Sequence, residues 1–491
     1  MRWLSWLFYP IFIILLPLFS QQNFNFDQYY TDQTMRIDYF HIGDSKSEII
    51  TIDHIYQYGT WAGNKKSLID RFNNGNYYVK IYDLNLKKLI YSKGFDSYFR
   101  EYTTTNKALR GIQRTYHESV LIPAPQEKIS FTIEKRDNQN KLEVLFRQEI
   151  DPLDTDIIRE DKTDQSVKIY KSKINGAPDQ KVDIVIIGEG YTKKEEGKYK
   201  SDLKRFTELF FNSEPYKSYQ SNFNIYGLLQ YSQESGVDEP RAGIYKNSIL
   251  NVTFNSLESE RYLMTEDNKT LRDIAAVVPY DAIYIMVNHK RYGGGGIYNL
   301  YCTFTSDNQW SEYLFLHEFG HSFAGLADEY YTSDIAYNTF YPKGIEPVEP
   351  NITALLDPEN IKWESVLSEE LKIPTPWEKD EFDQMEYKWQ KERRELNSKI
   401  TELKKNKAPQ EEIAAAEKEY ADKDFAHALD VDRFLTSCKY WGKVGAFEGA
   451  GYSSTGLYRP MINCIMFSKI NKSYCRVCEQ AIIRMIKYYS E

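Results

Sequence analysis

Two histidines four residues apart, with a glutamate beside the first, sit in Leu314-Phe315-Leu316-His317-Glu318-Phe319-Gly320-His321-Ser322-Phe323-Ala324-Gly325-Leu326-Ala327-Asp328-Glu329-Tyr330. This segment constrains the fold more than any other. On a helix, residues four apart project from one face, so His317 and His321 can grip one zinc ion. Glu318 then lies where it can polarise a water on that ion. A catalytic site needs a third ligand from beyond the helix. Gly325 can take the left-handed turn that brings the following carboxylates back toward the metal. Asp328 is the expected third ligand, with Glu329 as the fallback. The apolar lead-in, the gap to a glycine and the acidic pair favour zinc over a chance match.

The rest of the chain divides by pattern. Residues 1–20 pair Arg2 with a short apolar stretch, broken by Pro10 and Pro17 and closed by Ser20. That is a secretory signal peptide rather than a membrane span. No later stretch approaches the roughly 18 apolar residues of a spanning helix. The chain is therefore expected to be exported to the periplasm, cell surface or medium, without membrane insertion. Residues 21–152 alternate apolar and polar positions, as in Tyr77-Tyr78-Val79-Lys80-Ile81-Tyr82, with turn signals such as Asn73-Asn74-Gly75-Asn76. This predicts an antiparallel β-sandwich. Residues 153–169 are charged and read as a linker. From 170 to 491 an α/β catalytic domain is expected, because the buried-type strand Val182–Ile187 is followed by helical spacing over 193–211. Within it, residues 376–430 are rich in Lys and Glu. Met385, Trp389, Leu396, Ile400 and Leu403 carry a helical period that resumes after Asn406-Lys407-Ala408-Pro409. This reads as an inserted helical hairpin with a first arm of about 39 Å.

Composition narrows the function. Asp plus Glu number 71 against 62 Lys plus Arg in 491 residues, which excludes a general nucleic-acid binder. Five cysteines are too few for a disulfide framework in a chain of this size. Cys464, Cys475 and Cys478 cluster, but no partner pair for a second structural zinc is evident, so a disulfide from Cys464 to one of the others is expected, leaving an odd thiol; whether Cys302 and Cys438 also pair stays open in the sequence. The run Gly293-Gly294-Gly295-Gly296 lacks the Lys and Ser or Thr of a nucleotide loop. It suits close approach of another backbone, such as a substrate added as a strand. His41, His54, His117, His289 and His427 have no ligand spacing and read as structural.

HEFGHSFAGLADEY resembles the signature of the M64 family of zinc metallopeptidases, often called IgA peptidase M64, which are metzincin-like. The resemblance extends through Val182–Thr192, Tyr280–Tyr301 and Phe447-Glu448-Gly449-Ala450-Gly451-Tyr452 to Met466, and includes a β-rich N-terminal domain. It implies that His317, His321 and Asp328 bind zinc and that Glu318 is the general base. The standard metzincin motif has its glycine and third ligand one residue earlier, where this chain has Ala324 and Ala327. By the same resemblance Met466 is the methionine of the turn beneath the metal. Tyr458, just upstream, is placed to donate to an oxyanion. The expectation is thus an exported zinc endopeptidase acting on protein or peptide substrates, glycoproteins among them. The competing reading is a surface binding protein with a structural or vestigial zinc site. Neither the natural substrate nor the oligomeric state follows from the sequence.

Overall fold

The computed structural model describes residues 25–332 and 341–491; the expected signal peptide at 1–20 lies outside them. The N-terminal part is β-rich. Its strands are β1 (Tyr30–Gly43), β2 (Glu48–Tyr58), β3 (Tyr77–Asp83), β4 (Leu89–Phe95), β5 (Arg114–Pro125), β6 (Ile129–Arg136) and β7 (Leu142–Ile150). They form one sheet ordered β5-β1-β2 and another ordered β4-β3-β6-β7. Alternating residues of both sheets, including Met35, Ile37, Ile122, Ile81, Phe131 and Ile133, meet in one apolar core. Inward apolar and outward polar positions thus follow the period of two that an extended backbone imposes.

The segment read as a linker is structured at both ends. Strand β8 (Ile158–Arg159) pairs in parallel with β2, and β9 (Lys168–Lys173) joins the next sheet. That sheet contains β10 (Val182–Glu189), β11 (Phe223–Leu229), β12 (Ala282–Val287), β13 (Gly294–Ile297) and β14 (Tyr301–Thr305), in the order β13-β14-β12-β10-β11-β9. Its four central strands run parallel, and the edge strands β9 and β13 run against them. Every residue of β10 is buried, as expected of a strand covered on both faces. Val182, Ile184 and Ile186 enter one core, and Val185 and Ile187 enter the other.

Helices α1 (Glu196–Asn212), α2 (Ser311–Ala324) and the C-terminal helix over Arg476–Ser490 contribute to the first core. The second core includes Tyr98, Phe99, Tyr102 and Tyr116 of the N-terminal part, so one face of the central sheet is closed by the β-rich region. Leu314, Phe315, Leu316, Phe319 and Phe323 of α2 are all buried. At about 1.5–3 kcal/mol for each such side chain, this burial fixes α2 far more firmly than helix propensity does.

Two long helices, α3 (Lys379–Lys405) and α4 (Gln410–Ser437), pair with each other in reverse order. Their contacts step from Glu386–His427 at 2.8 Å through Glu392–Lys423 and Lys399–Glu419 to Lys404–Glu417 at 3.0 Å. The middle of α4 is fastened to the domain. Buried Asp424 accepts from Trp310 Nε1 at 2.6 Å and pairs with Lys469 at 2.9 Å. The C-terminal helix is α5 (Arg476–Ser490), preceded by the hairpin of β15 (Phe447–Ala450) and β16 (Ser453–Arg459). Among the described residues, no helix is long and apolar enough to cross a membrane.

Candidate metal centre

Helix α2 ends where Gly325 takes φ 62°, ψ 34°. Its N–H donates to the His321 carbonyl at 3.0 Å, the 5→1 bond of an αL cap, and the Leu326 N–H donates to the Gly320 carbonyl at 3.2 Å; the cap needs a residue free to adopt the left-handed conformation. The chain then turns back along the helix. Asn351, fully buried, holds it there: its Oδ1 accepts from the Ala327 N–H at 2.8 Å and its Nδ2 donates to the Ala327 carbonyl at 2.9 Å. Asp328 follows directly.

As a result His317 Nε2 and His321 Nε2 lie 3.1 Å apart, and Asp328 Oδ1 lies 3.1 and 3.2 Å from them. The opposite nitrogens are already engaged. His317 Nδ1 donates to the Ile465 carbonyl at 3.0 Å, and His321 Nδ1 donates to the Leu326 carbonyl at 2.6 Å. That arrangement fixes both rings with Nε2 turned inward as an acceptor. Buried Asp328 Oδ1 has no hydrogen-bond donor of its own. Burial opposes its charge; protonation of the facing imidazoles, in place of a metal, would offset this and hold the carboxyl well below its usual range. Three inward-facing donors separated by 3.1–3.2 Å match the edge of about 3.3 Å of a tetrahedral zinc set with N and O ligands. The residues fit a zinc ion.

Glu318 lines the same cleft, and burial raises its carboxyl above the usual range. Facing it is β13, where the glycine run reveals its purpose. A Cβ on Gly294 would sit 2.8 Å from Glu318 Oε1, and one on Gly296 would sit 2.5 Å from the Glu318 carbonyl oxygen. The backbone these glycines admit closely is that of α2 itself. The run is an ordered edge strand, paired with β14 on one side and bridged at Gly294 by Tyr262 on the other.

Met466 is fully buried, with Sδ 3.0 Å from where a Cβ on Gly320 would lie, and its carbonyl accepts the Glu329 N–H at 2.9 Å. Glu329 does not join the first cluster. In the extended stretch after Leu326 it points away from Asp328, toward Cys464, Cys475 and Cys478. Tyr458 is also elsewhere: it lies on β16, bridging Thr353 through its backbone, and is not among the cleft-lining residues. Two phenols reach the cluster: Tyr313, whose hydroxyl lies 3.1 Å from His317 Nδ1, and Tyr452, whose hydroxyl donates to Asp328 Oδ2 from the left-handed turn at Gly451 and Tyr452.

The cleft, with a volume of about 120 Å³, holds further residues that spacing did not single out. Arg261 donates to the Tyr330 hydroxyl at 2.9 Å and contributes a cation across from Glu318. Asp96 and Glu101 reach it from the β-rich part, and burial, reinforced by Asp96, pushes the Glu101 carboxyl up to about 7. Arg261 and Tyr292 also line a groove of about 710 Å³ that runs along α3 and α4 past Arg394 and Lys404.

Two family models match the chain: IgA Peptidase M64 over residues 167–486 and Peptidase M64 N-terminus over residues 25–147. A comparison with curated proteins found no match.

Proposed function

The chain belongs to the M64 peptidase family, and on that premise we propose that it is an exported, zinc-dependent endopeptidase with a metzincin-like catalytic fold and an inserted helical hairpin. The observation that carries the reading is the triangle of His317 Nε2, His321 Nε2 and Asp328 Oδ1, every edge 3.1 or 3.2 Å, beside a buried glutamate. These three residues would hold the zinc, which supplies Lewis acidity toward a scissile carbonyl and toward a water. Glu318 takes the proton from that water on its carboxylate and delivers it to the leaving amine. The backbone carbonyls of Ile465 and Leu326 keep the two imidazoles oriented throughout. Tyr452 holds the other oxygen of Asp328. Arg261 supplies positive charge on the cleft wall where an oxyanion develops.

The adjoining groove supports a polypeptide substrate. It is walled by charges of both signs, Arg291, Arg394 and Lys404 beside Glu239, Glu260 and Glu417. A glycosylated protein fits within that substrate class. The test is metal content paired with hydrolysis of an unbiased peptide library, for the chain and for Glu318→Ala, with and without chelator. Bound zinc in both, with cleavage only in the unaltered chain and only without chelator, supports the assignment. A metallated Glu318→Ala variant that still cleaves would overturn it. Zinc without cleavage of any peptide would favour the alternative of a binding protein with a structural site.

A further inference from the structure

Below the Asp328 segment, four more potential ligands converge from three parts of the chain: Glu329, Cys464, Cys475 and Cys478. All four are buried, Glu329, Cys464 and Cys478 completely. Their donor atoms lie within 4.8 Å of one another. Cys464 Sγ and Cys478 Sγ are 3.8 Å apart, while Glu329 Oε1 is 3.7 Å from Cys475 Sγ and 3.1 Å from Cys478 Sγ. A tetrahedral zinc site with Zn–S of about 2.3 Å has S–S edges of about 3.8 Å and somewhat shorter S–O edges. The separations are those of an S₃O set.

Backbone donors point into the cluster. The Cys475 N–H donates to Cys464 Sγ at 3.1 Å and the Cys478 N–H to Cys475 Sγ at 3.5 Å, the Cys-x-x-Cys turn closing on the N-terminus of α5. Backbone donors and the positive end of a helix both stabilise thiolates. Asn351 Nδ2 donates to Glu329 Oε1 at 3.1 Å, yet Glu329 Oε2 is buried with no hydrogen-bond partner. A buried carboxyl oxygen with no partner in the protein is a position for a ligand bond that the protein itself does not fill. The nearby Arg459 gives its two terminal nitrogens to the Glu448, Gly449 and Ile462 carbonyls and makes no hydrogen bond to Glu329. A disulfide between two of the three cysteines would leave both the third thiol and this carboxylate without a role.

We propose that Glu329, Cys464, Cys475 and Cys478 form a second, structural zinc site. All four ligand positions come from the protein and none opens to solvent, so it is closed to substrate. Its place in the fold gives it work to do. Glu329 is the residue after Asp328, and Cys464 precedes Ile465, whose carbonyl orients His317. A metal joining Glu329 to Cys464 therefore clamps the segment that presents Asp328 against the turn that steadies His317.

This inference does not depend on hydrolysis, and its test reads the second site separately. The full chain reconstituted with zinc alone should carry about two ions, and His317→Ala/His321→Ala should keep about one. That double variant, loaded with cobalt, should show thiolate-to-metal charge-transfer absorption. Cys475→Ser/Cys478→Ser should lose that band. Alkylation of the native chain after denaturation, without reductant, should label all five cysteines. A metal-free histidine double variant, cobalt bound without the thiolate band, or a disulfide among Cys464, Cys475 and Cys478 would each overturn the proposal. If the cysteine variant does not fold, the histidine variant and the alkylation count still decide.

Discussion

Replacing Asn351 with leucine should loosen the candidate metal centre without touching any of its three ligands. Asn351 is fully buried, and its amide satisfies both the N–H and the carbonyl of Ala327, at 2.8 and 2.9 Å. Leucine has nearly the same volume, so the cavity term is small and the loss is one of hydrogen bonding. Each of the two buried backbone groups left unpaired costs about 1–3 kcal/mol, giving about 2–4 kcal/mol together once some relaxation is allowed, and Glu329 Oε1 loses its Asn351 donor as well. Relaxation means movement of the segment that carries Asp328, the residue immediately after Ala327. Loss of such a supporting contact typically weakens metal binding by about 10–100-fold. The assay is peptide hydrolysis titrated against buffered free zinc, alongside urea unfolding of the same samples. Half-maximal activity should move to about 10–100-fold higher free zinc, with a plateau closer to that of the unaltered chain. A zinc requirement within about twofold of the original, together with a stability loss under about 0.5 kcal/mol, would show that the Asp328 segment is held by something other than this amide.

Three other perturbations test separate parts of the argument. Gly296→Ala places a methyl 2.5 Å from the Glu318 carbonyl oxygen and 2.9 Å from His321 Cβ, so thermal unfolding should register a loss of about 1–3 kcal/mol. Gly197→Ala in α1, with open space around its Cβ, should be neutral or stabilising by up to about 1 kcal/mol, and equal effects at both positions would sink the packing argument. In the β-rich part, burial opposes the charge on His41, but Glu118 at 2.9 Å and Glu48 outweigh it and lift its pKa to about 9. A raised folded-state pKa stabilises fully below the unfolded value near 6.5 and loses that contribution as pH climbs through about 9. The urea midpoint should therefore fall over that window, by an amount corresponding to no more than roughly 3 kcal/mol. His41→Gln should flatten the fall, and parallel profiles would exclude His41 as its source. Asp424→Ala removes the acceptor shared by Trp310 and Lys469 midway along α4. Limited proteolysis should then cut within residues 379–437 at least tenfold faster, as expected for about 2–4 kcal/mol lost from a buried hydrogen-bonded pair.

Much of this molecule is readable locally because local rules govern it. The period of two in residues 77–82, the continuous apolar run of Val182–Ile187 and the His317–His321 spacing each report a backbone geometry set by neighbouring residues. Gly325 announces the end of α2 for the same reason. Relations across the chain leave weaker marks. Asp96 and Glu101 line the cleft because the β-rich part covers one face of the central sheet, and no pattern within residues 21–152 says what that part packs against. The segment at 153–169 is charged enough to read as a spacer, yet two of its residues complete one sheet and its end begins the edge of another. Short edge strands can be charged because one side of them faces water.

The pair Asp328–Glu329 shows where a linear reading divides the chemistry wrongly. Taken along the sequence, the two carboxylates compete for one vacancy beside His317 and His321. In an extended segment consecutive side chains point to opposite sides, so both can be used, each at a different cluster. The cysteines then cease to be a set of three with one left over, because Glu329 completes them. The Glu329 N–H bond to the Met466 carbonyl, at 2.9 Å, ties the same segment to the turn between Cys464 and α5. A displacement of this segment by even half an ångström would therefore be felt at both clusters, in opposite directions. Selection for precise placement of Asp328 would then act on Cys464, Cys475 and Cys478 as well, although none of them lines the cleft.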